Sequence, residues 1–163
     1  MNLDASIELY AGGPGSGCQG DNCGRKKGNL QDAIQLATKA HEGQLDKSGF
    51  PYIDHPLRVG ESLKEHGEVA QIAGVLHDVV EDTPVKLKEI EEKFGKEVAD
   101  TVDSVSHRAG EPYFDFVRRS NQHPIGRLVK IADIHDNMLP SRTKGRNLEK
   151  LQKKYAKALE ILK

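Results

Sequence analysis

Tryptophan is absent from this sequence and aromatic residues make up only 5% of it, which removes the flat platforms on which single-stranded nucleic acids stack. Positive charge is not in excess either. Twenty-four lysines and arginines face 25 aspartates and glutamates, for a formal charge of −1. Phosphate backbones are bound through a basic surplus, so no nucleic-acid partner is expected. No apolar run approaches the roughly 20 residues of a membrane-spanning helix, so no membrane partner is expected. The start, Met1-Asn2-Leu3-Asp4-Ala5, lacks the basic-then-apolar order of a secretory signal. The cytoplasm is therefore the expected location. Cysteine is nearly missing, with only Cys18 and Cys23. Two thiolates make half of a zinc site or one local disulfide, and no histidine lies near them to complete a site. They read as incidental thiols in a flexible tail.

What is present divides into two parts. Residues 11–28 hold seven of the sixteen glycines, a composition that loses too much conformational entropy on ordering to join a core. A phosphate-binding loop is the sharper alternative, but the glycine spacing fits neither nucleotide fingerprint. Residues 1–28 are expected to be a flexible arm and residues 29–163 a single domain. From Asn29, a fair N-cap, the apolar residues Leu30, Ala33, Ile34, Ala37 and Ala40 fall at helical spacing. A turn-rich loop over 44–56 follows, and Pro56 suits the first turn of the next helix. A central helix is expected over 69–82, then one with Thr83 as N-cap and Gly95 as its stop. Further helices are expected over 96–106, 113–120, 125–138 and 147–162, with Pro140 closing the third of these. No segment alternates like a strand and no repeat is visible. The expected fold is all-α, a compact helical bundle.

The stretch Ala73-Gly74-Val75-Leu76-His77-Asp78-Val79-Val80-Glu81-Asp82 organises this bundle. Its apolar density belongs to a core, yet it carries an imidazole and three carboxylates. On a continuous helix His77 and Glu81 would stack at i,i+4, with Asp78 and Asp82 beside them. Burying such charge without compensation costs several kcal/mol per group by rough estimate, and a divalent cation in a water-filled cleft compensates it. A second apolar helix, Leu128-Val129-Lys130-Ile131-Ala132-Asp133, offers another inward carboxylate, and His55 sits where a loop meets a helix. His55, His77, Asp78 and Asp133 together suit a six-coordinate borderline cation such as manganese or iron, with zinc second.

These segments resemble the HD metal-dependent phosphohydrolases, and more closely the hydrolase domain of the RelA/SpoT alarmone enzymes and their small single-domain relatives. The resemblance is carried by His41-Glu-Gly-Gln, Lys47-Ser-Gly-Phe-Pro-Tyr-Ile-Asp-His55-Pro, Leu76-His-Asp-Val-Val-Glu-Asp-Thr83, Phe94-Gly-Lys-Glu-Val and Leu128-Val-Lys-Ile-Ala-Asp133. It extends from about residue 29 to the end. It implies that His55, His77, Asp78 and Asp133 bind Mn²⁺, that Glu81 and Asp82 are the catalytic pair, and that Lys47, Tyr52, Asn137 and Tyr155 contact a nucleotide. Lys47 with Lys130 or Arg127 would neutralise its pyrophosphate. The implied reaction is release of pyrophosphate from the ribose 3′ position of (p)ppGpp, without the synthetase activity of the long enzymes. Hydrolysis of another nucleotide, or metal and nucleotide binding without catalysis, are the alternatives. Two positions depart from the family. Asp46 stands where its loop usually has arginine, and Ile134-His135-Asp136-Asn137 stands where it commonly has Arg-Leu-His-Asn.

Overall fold

The computed structural model describes residues 26–163, so residues 1–25 of the expected arm over 1–28, with Cys18 and Cys23, lie outside the described residues. Contact with the fold begins by Gly28, whose N–H donates to the Lys93 carbonyl at 2.7 Å. Among the described residues there are ten α-helices, one 3₁₀ turn at Lys64–His66 and no strand beyond an isolated bridge between Leu45 and Pro51. None of these helices is long and apolar enough to cross a membrane.

Helix α1 (Leu30–Ala40) starts where its cap demands. The Asn29 side chain accepts from Asp32 N, and Asp32 returns a bond to Asn29 N. Helix α2 (Asp54–Ser62) begins two residues before Pro56, which places His55 in its first turn. Helix α3 (Glu68–Leu76) is nearly all apolar and buried on most sides. Helices α2 and α3 cross at two glycines, where a Cβ on Gly74 would stand 3.0 Å from Gly60 Cα. That close approach brings His55 and His77 together, with their ring centroids 5.1 Å apart.

The expected central helix over 69–82 is not continuous. It stops at Leu76, His77 and Asp78 form a turn, and a single-turn α4 (Val79–Asp82) follows. The His77 ring helps close α3 by placing Nδ1 2.6 Å from the Gly74 carbonyl oxygen. Thr83 does not cap the next helix either. Its hydroxyl donates back to the Val79 carbonyl at 2.6 Å, ending α4, and α5 (Leu87–Phe94) starts four residues later. Helices α6 (Lys96–Val105) and α7 (Tyr113–Asn121) follow, then α8 (Pro124–Asn137), which runs unbroken. Pro140 opens a short α9 (Pro140–Thr143), a helix absent from the sequence expectation, and α10 (Leu148–Ile161) ends the fold.

Two apolar clusters result. The larger joins α1, α2, α3, α5, α6 and the inner face of α8, around Val59, Leu76, Ile90 and Val102. The smaller joins α7, the C-terminal half of α8 and α10, around Val117, Ile134, Tyr155 and Leu162. Helix α8 belongs to both, and its polar stripe faces the turn at His77.

Candidate metal centre

His55, from α2, and His77, from the turn after α3, are both almost fully buried. Their Nε2 atoms point at the same two carboxylates. From His55 Nε2 it is 3.5 Å to Asp78 Oδ2 and 3.3 Å to Asp133 Oδ1. From His77 Nε2 the corresponding distances are 3.1 and 3.7 Å. One ligand atom each from His55, His77 and Asp78 falls within 4.8 Å of the others, and Asp133 closes the fourth side. His77 Nε2 is buried without a hydrogen-bond partner. An orphaned imidazole nitrogen between two carboxylates fits a divalent cation, since metal-ligating histidines need the far nitrogen held and the near one free. Both far nitrogens are held, His77 Nδ1 by Gly74 O and His55 Nδ1 by Asp136 Oδ2, each at 2.6 Å.

Charge in the cluster is strongly coupled. Burial alone disfavours the His55 imidazolium, but its hydrogen bonds to Asp133, Asp136 and Asp78 outweigh that and hold its pKa up at about 9. Burial likewise pushes the carboxyls of Asp78 and Asp133 upward. His77 and His55 around Asp78, and Lys130 with both histidines around Asp133, overturn that and hold both well below the usual range. The two carboxylates are thus held in their charged form among buried side chains.

Glu81 and Asp82 lie on α4 at the rim of the same cavity, which measures about 360 Å³. Desolvation and the nearby Asp78 carboxylate raise the pKa of each, so each holds a proton more readily than a free carboxylate does. Glu81 Oε2 accepts the backbone N–H of His107 at 3.0 Å. The Tyr52 hydroxyl lies 2.6 Å from Asp78 Oδ2 and 3.2 Å from Asp82 Oδ2, bridging a ligand position and a rim carboxylate.

The residues expected to touch a nucleotide divide into two sets. Lys47 and Tyr155 line a neighbouring cavity of about 310 Å³, together with Leu45, Asp46, Arg142 and Arg146. Tyr52 and Asn137 line both cavities, but their polar groups are engaged with the carboxylates. Asn137 Nδ2 donates to Asp133 Oδ1 at 2.6 Å. Lys130 is buried over the Phe116 ring, 4.4 Å from its centroid, with Nζ 2.8 Å from Asp133 Oδ2. Arg127, named with Lys130 as a pyrophosphate partner, is elsewhere, donating to the Leu162 and Lys163 carbonyls at 2.6 and 2.9 Å. It serves the C-terminus of α10.

Sequence reasoning missed four groups. Asp136 anchors His55 and takes a two-pronged ion pair from Arg58, Nε to Oδ1 at 2.6 Å and Nη2 to Oδ2 at 3.0 Å. Both stand three residues beyond a candidate ligand on the same helix, a spacing that puts them on the ligand's face. Lys154, from α10, reaches the cavity wall with Nζ 3.8 Å from the Tyr113 ring centroid. Burial, then the charges of Lys130 and Arg146, lower its pKa. Arg142 is the fourth. In sequence it is one cation among many after Pro140.

Comparison with known proteins bears on the family and the fold. A family model described as HD domain matches residues 33–135. A probable GTP pyrophosphokinase of Mycobacterium leprae is 36% identical over 124 residues, 69% of this chain and 16% of that protein. The bifunctional (p)ppGpp synthase/hydrolase SpoT of Escherichia coli is 46% identical over 79 residues, 47% of this chain and 11% of that protein. The chain therefore spans less than a fifth of the length of these relatives. In three dimensions it overlays a solved metazoan ortholog of SpoT, described as hydrolysing ppGpp, with a TM-score of 0.68 at 24% identity. That match covers 85% of this chain and 88% of the other and is an agreement of fold.

Proposed function

This chain belongs to the HD-domain family, and on that premise we propose that it is a divalent-metal-dependent phosphohydrolase that removes the 3′-pyrophosphate of (p)ppGpp. The observation that carries the proposal is the orphaned His77 Nε2 facing Asp78 and Asp133, one turn from two rim carboxylates of raised pKa. The names of the relatives supply the substrate class, one of them a (p)ppGpp synthase/hydrolase.

His55, His77, Asp78 and Asp133 would hold the cation; two imidazoles with two carboxylates suit manganese or iron, and the family resemblance selects Mn²⁺. Such a cation supplies a Lewis acid and a water of lowered pKa. Lys130 and Tyr52 keep the two ligand carboxylates in place by their bonds to Asp133 and Asp78. Glu81, braced by the His107 amide, and Asp82, beside the Tyr52 hydroxyl, are placed to orient the attacking water and to return a proton to the 3′ oxygen as it leaves. Lys154 adds positive charge on the wall of that cavity, where a transferring phosphoryl group gathers negative charge. Lys47, Arg146 and Tyr155 then face the remainder of the nucleotide in the adjoining cavity.

The test is a panel of nucleotides including ppGpp, incubated with the purified chain and Mn²⁺ and scored for pyrophosphate and phosphate. Pyrophosphate from ppGpp alone is the expected result. Release from another nucleotide in preference to ppGpp would reassign the substrate, and release from none would remove the enzymatic role.

A further inference from the structure

Asp46 lies on the loop before α2 and Arg142 on α9, 96 residues apart in sequence, yet a line of contacts joins both to the ligand cluster. Asp46 Oδ1 accepts the backbone N–H of Ser48 at 2.8 Å and of Phe50 at 3.0 Å, which closes the loop on itself. Its other oxygen, Oδ2, faces Arg142 Nη1 at 3.5 Å. The opposite edge of the guanidinium gives Nε and Nη2 to Asn137 Oδ1 at 3.2 and 3.1 Å. Asn137 is thereby left one orientation, with Nδ2 toward Asp133 Oδ1 at 2.6 Å. A flipped amide would set its NH₂ against the guanidinium and its oxygen against the carboxylate. Asp133 Oδ1 is the oxygen that faces both His55 Nε2 and His77 Nε2.

The arrangement is enclosed. Arg142 and Asp46 side chains are only 11% and 7% exposed, so solvent does not loosen the pair as it does a surface ion pair. Lys130 anchors Asp133 by its other oxygen, but one anchor leaves the carboxylate free to swing about its terminal torsion. The second anchor, Asn137, fixes Oδ1, and Asn137 is itself fixed by Arg142. Only arginine has donors on two edges of one rigid plane to serve a carboxylate and an amide together.

We propose that Arg142 is a positioning residue of the cation site: held by Asp46, it locks the Asn137 amide, and the amide aims Asp133 Oδ1 at the two histidines. Resting on the divalent-cation site of the proposed function but not on its substrate, the role is read in the absence of nucleotide. The sign of the effect separates it from charge alone. Deleting a cation near a cation site tightens metal binding by Coulomb's law, whereas losing an outer partner of a ligand typically weakens it 10- to 100-fold.

The experiment is Mn²⁺ titration of the full chain by calorimetry, with free Mn²⁺ followed by electron paramagnetic resonance. Arg142→Ala is expected to weaken Mn²⁺ binding about tenfold or more. Arg146→Ala, which removes the same charge from the same cavity, should leave it unchanged or slightly tighter. Asp46→Asn keeps the Oδ1 bonds of the loop and should weaken binding by a smaller factor, which disappears in the Arg142→Ala background. Should Arg142→Ala not fold by circular dichroism, Arg142→Lys keeps the charge, loses the fork and must also weaken binding. Unchanged or tighter binding in the folded Arg142 variant overturns the proposal. Inactivity of the wild type toward ppGpp with this Mn²⁺ pattern intact would overturn the proposed reaction and leave Arg142 its role.

Discussion

The two segments that face each other across the cation site are built in opposite ways. Helix α8 runs unbroken through Asp133, and the i,i+3 and i,i+4 spacing of an ordinary helix sets Asp136 on one side of it and Asn137 on the other. The segment opposite is interrupted where its ligand candidates fall, with His77 and Asp78 in a turn between α3 and α4. Neighbouring residues on a helix do not share a face, so a continuous helix would not aim both side chains at one point. The interruption lets His77 Nε2 and Asp78 Oδ2 approach to 3.1 Å. It also leaves α4 only four residues long, and bonds from outside hold it: His107 N on Glu81, Gln44 Nε2 on the Asp82 carbonyl, Tyr52 on Asp78 and Asp82. One side is rigid by its own ladder, and the other is rigid by its neighbours.

The strongest way to break that picture is to separate ligand from catalyst within the interrupted segment. His77→Ala is expected to abolish bound metal and hydrolysis together, whereas Asp82→Asn keeps the metal and slows turnover roughly 100-fold or more if Asp82 moves a proton. Metal content by atomic absorption beside kcat decides it, and loss of metal in Asp82→Asn would merge the two roles. Next in size is the outer anchor on the α8 side. Asp136→Ala frees His55 Nδ1 and strands Arg58, and Mn²⁺ affinity is expected to fall about tenfold or more. A titration showing no change would mean that α2 alone orients His55.

How far sequence reached follows the same division. The all-α class, the cap at Asn29 and the four candidate ligands were legible because helical spacing and residue type announce them. The break at His77 was not, since Val75, Leu76, Val79 and Val80 continue the apolar pattern straight through it, and the local contact that helps close α3 is a side chain bonding its own backbone. Thr83 read as the opening of α5 for a related reason, because a hydroxyl that caps forward and one that bonds backward look alike in sequence. Arg58 and Arg142 drew no reading from the sequence and Asp136 only one as part of a family departure, because the fold alone puts the three against each other. The family departure at position 46 is the instructive case: the sequence shows only an aspartate where arginine is usual, whereas in the fold its two oxygens are engaged by its own loop and by Arg142.

A smaller test addresses the crossing that sets the distance between the two histidines. Gly74→Ala would force a Cβ to within 2.8 Å of Leu63 Cδ1 and 3.0 Å of Gly60 Cα, and backbone on one side has nowhere to go. Overpacking of this kind costs about 1–3 kcal/mol, to be read as a lowered denaturation midpoint. Wild-type stability in that variant would show that α2 and α3 separate easily and that their crossing does not fix the site.

The smallest expected effect concerns the outside brace of α4. The loop that delivers His107 N to Glu81 is pinned by Glu111, whose carboxylate takes Arg119 Nε and Nη2 at 2.8 Å each. Arg119 in turn donates to the Asp103 and Ser106 carbonyls at 3.0 and 2.8 Å, tying the loop to the end of α6. The Arg119 guanidinium holds the Glu111 pKa down at about 2, against 4.5 for a free side chain. A depressed carboxyl contributes stability that is complete above the unfolded pKa and vanishes as pH falls through the folded one. Glu111→Gln should therefore lower stability by about 1 kcal/mol at pH 7, and its gap from wild type should close between pH 4.5 and about 2. Urea unfolding of both proteins across that range measures it. A gap of constant size down to pH 2 would show that glutamine loses only shape, and that charge at Glu111 contributes nothing to holding the loop against α4.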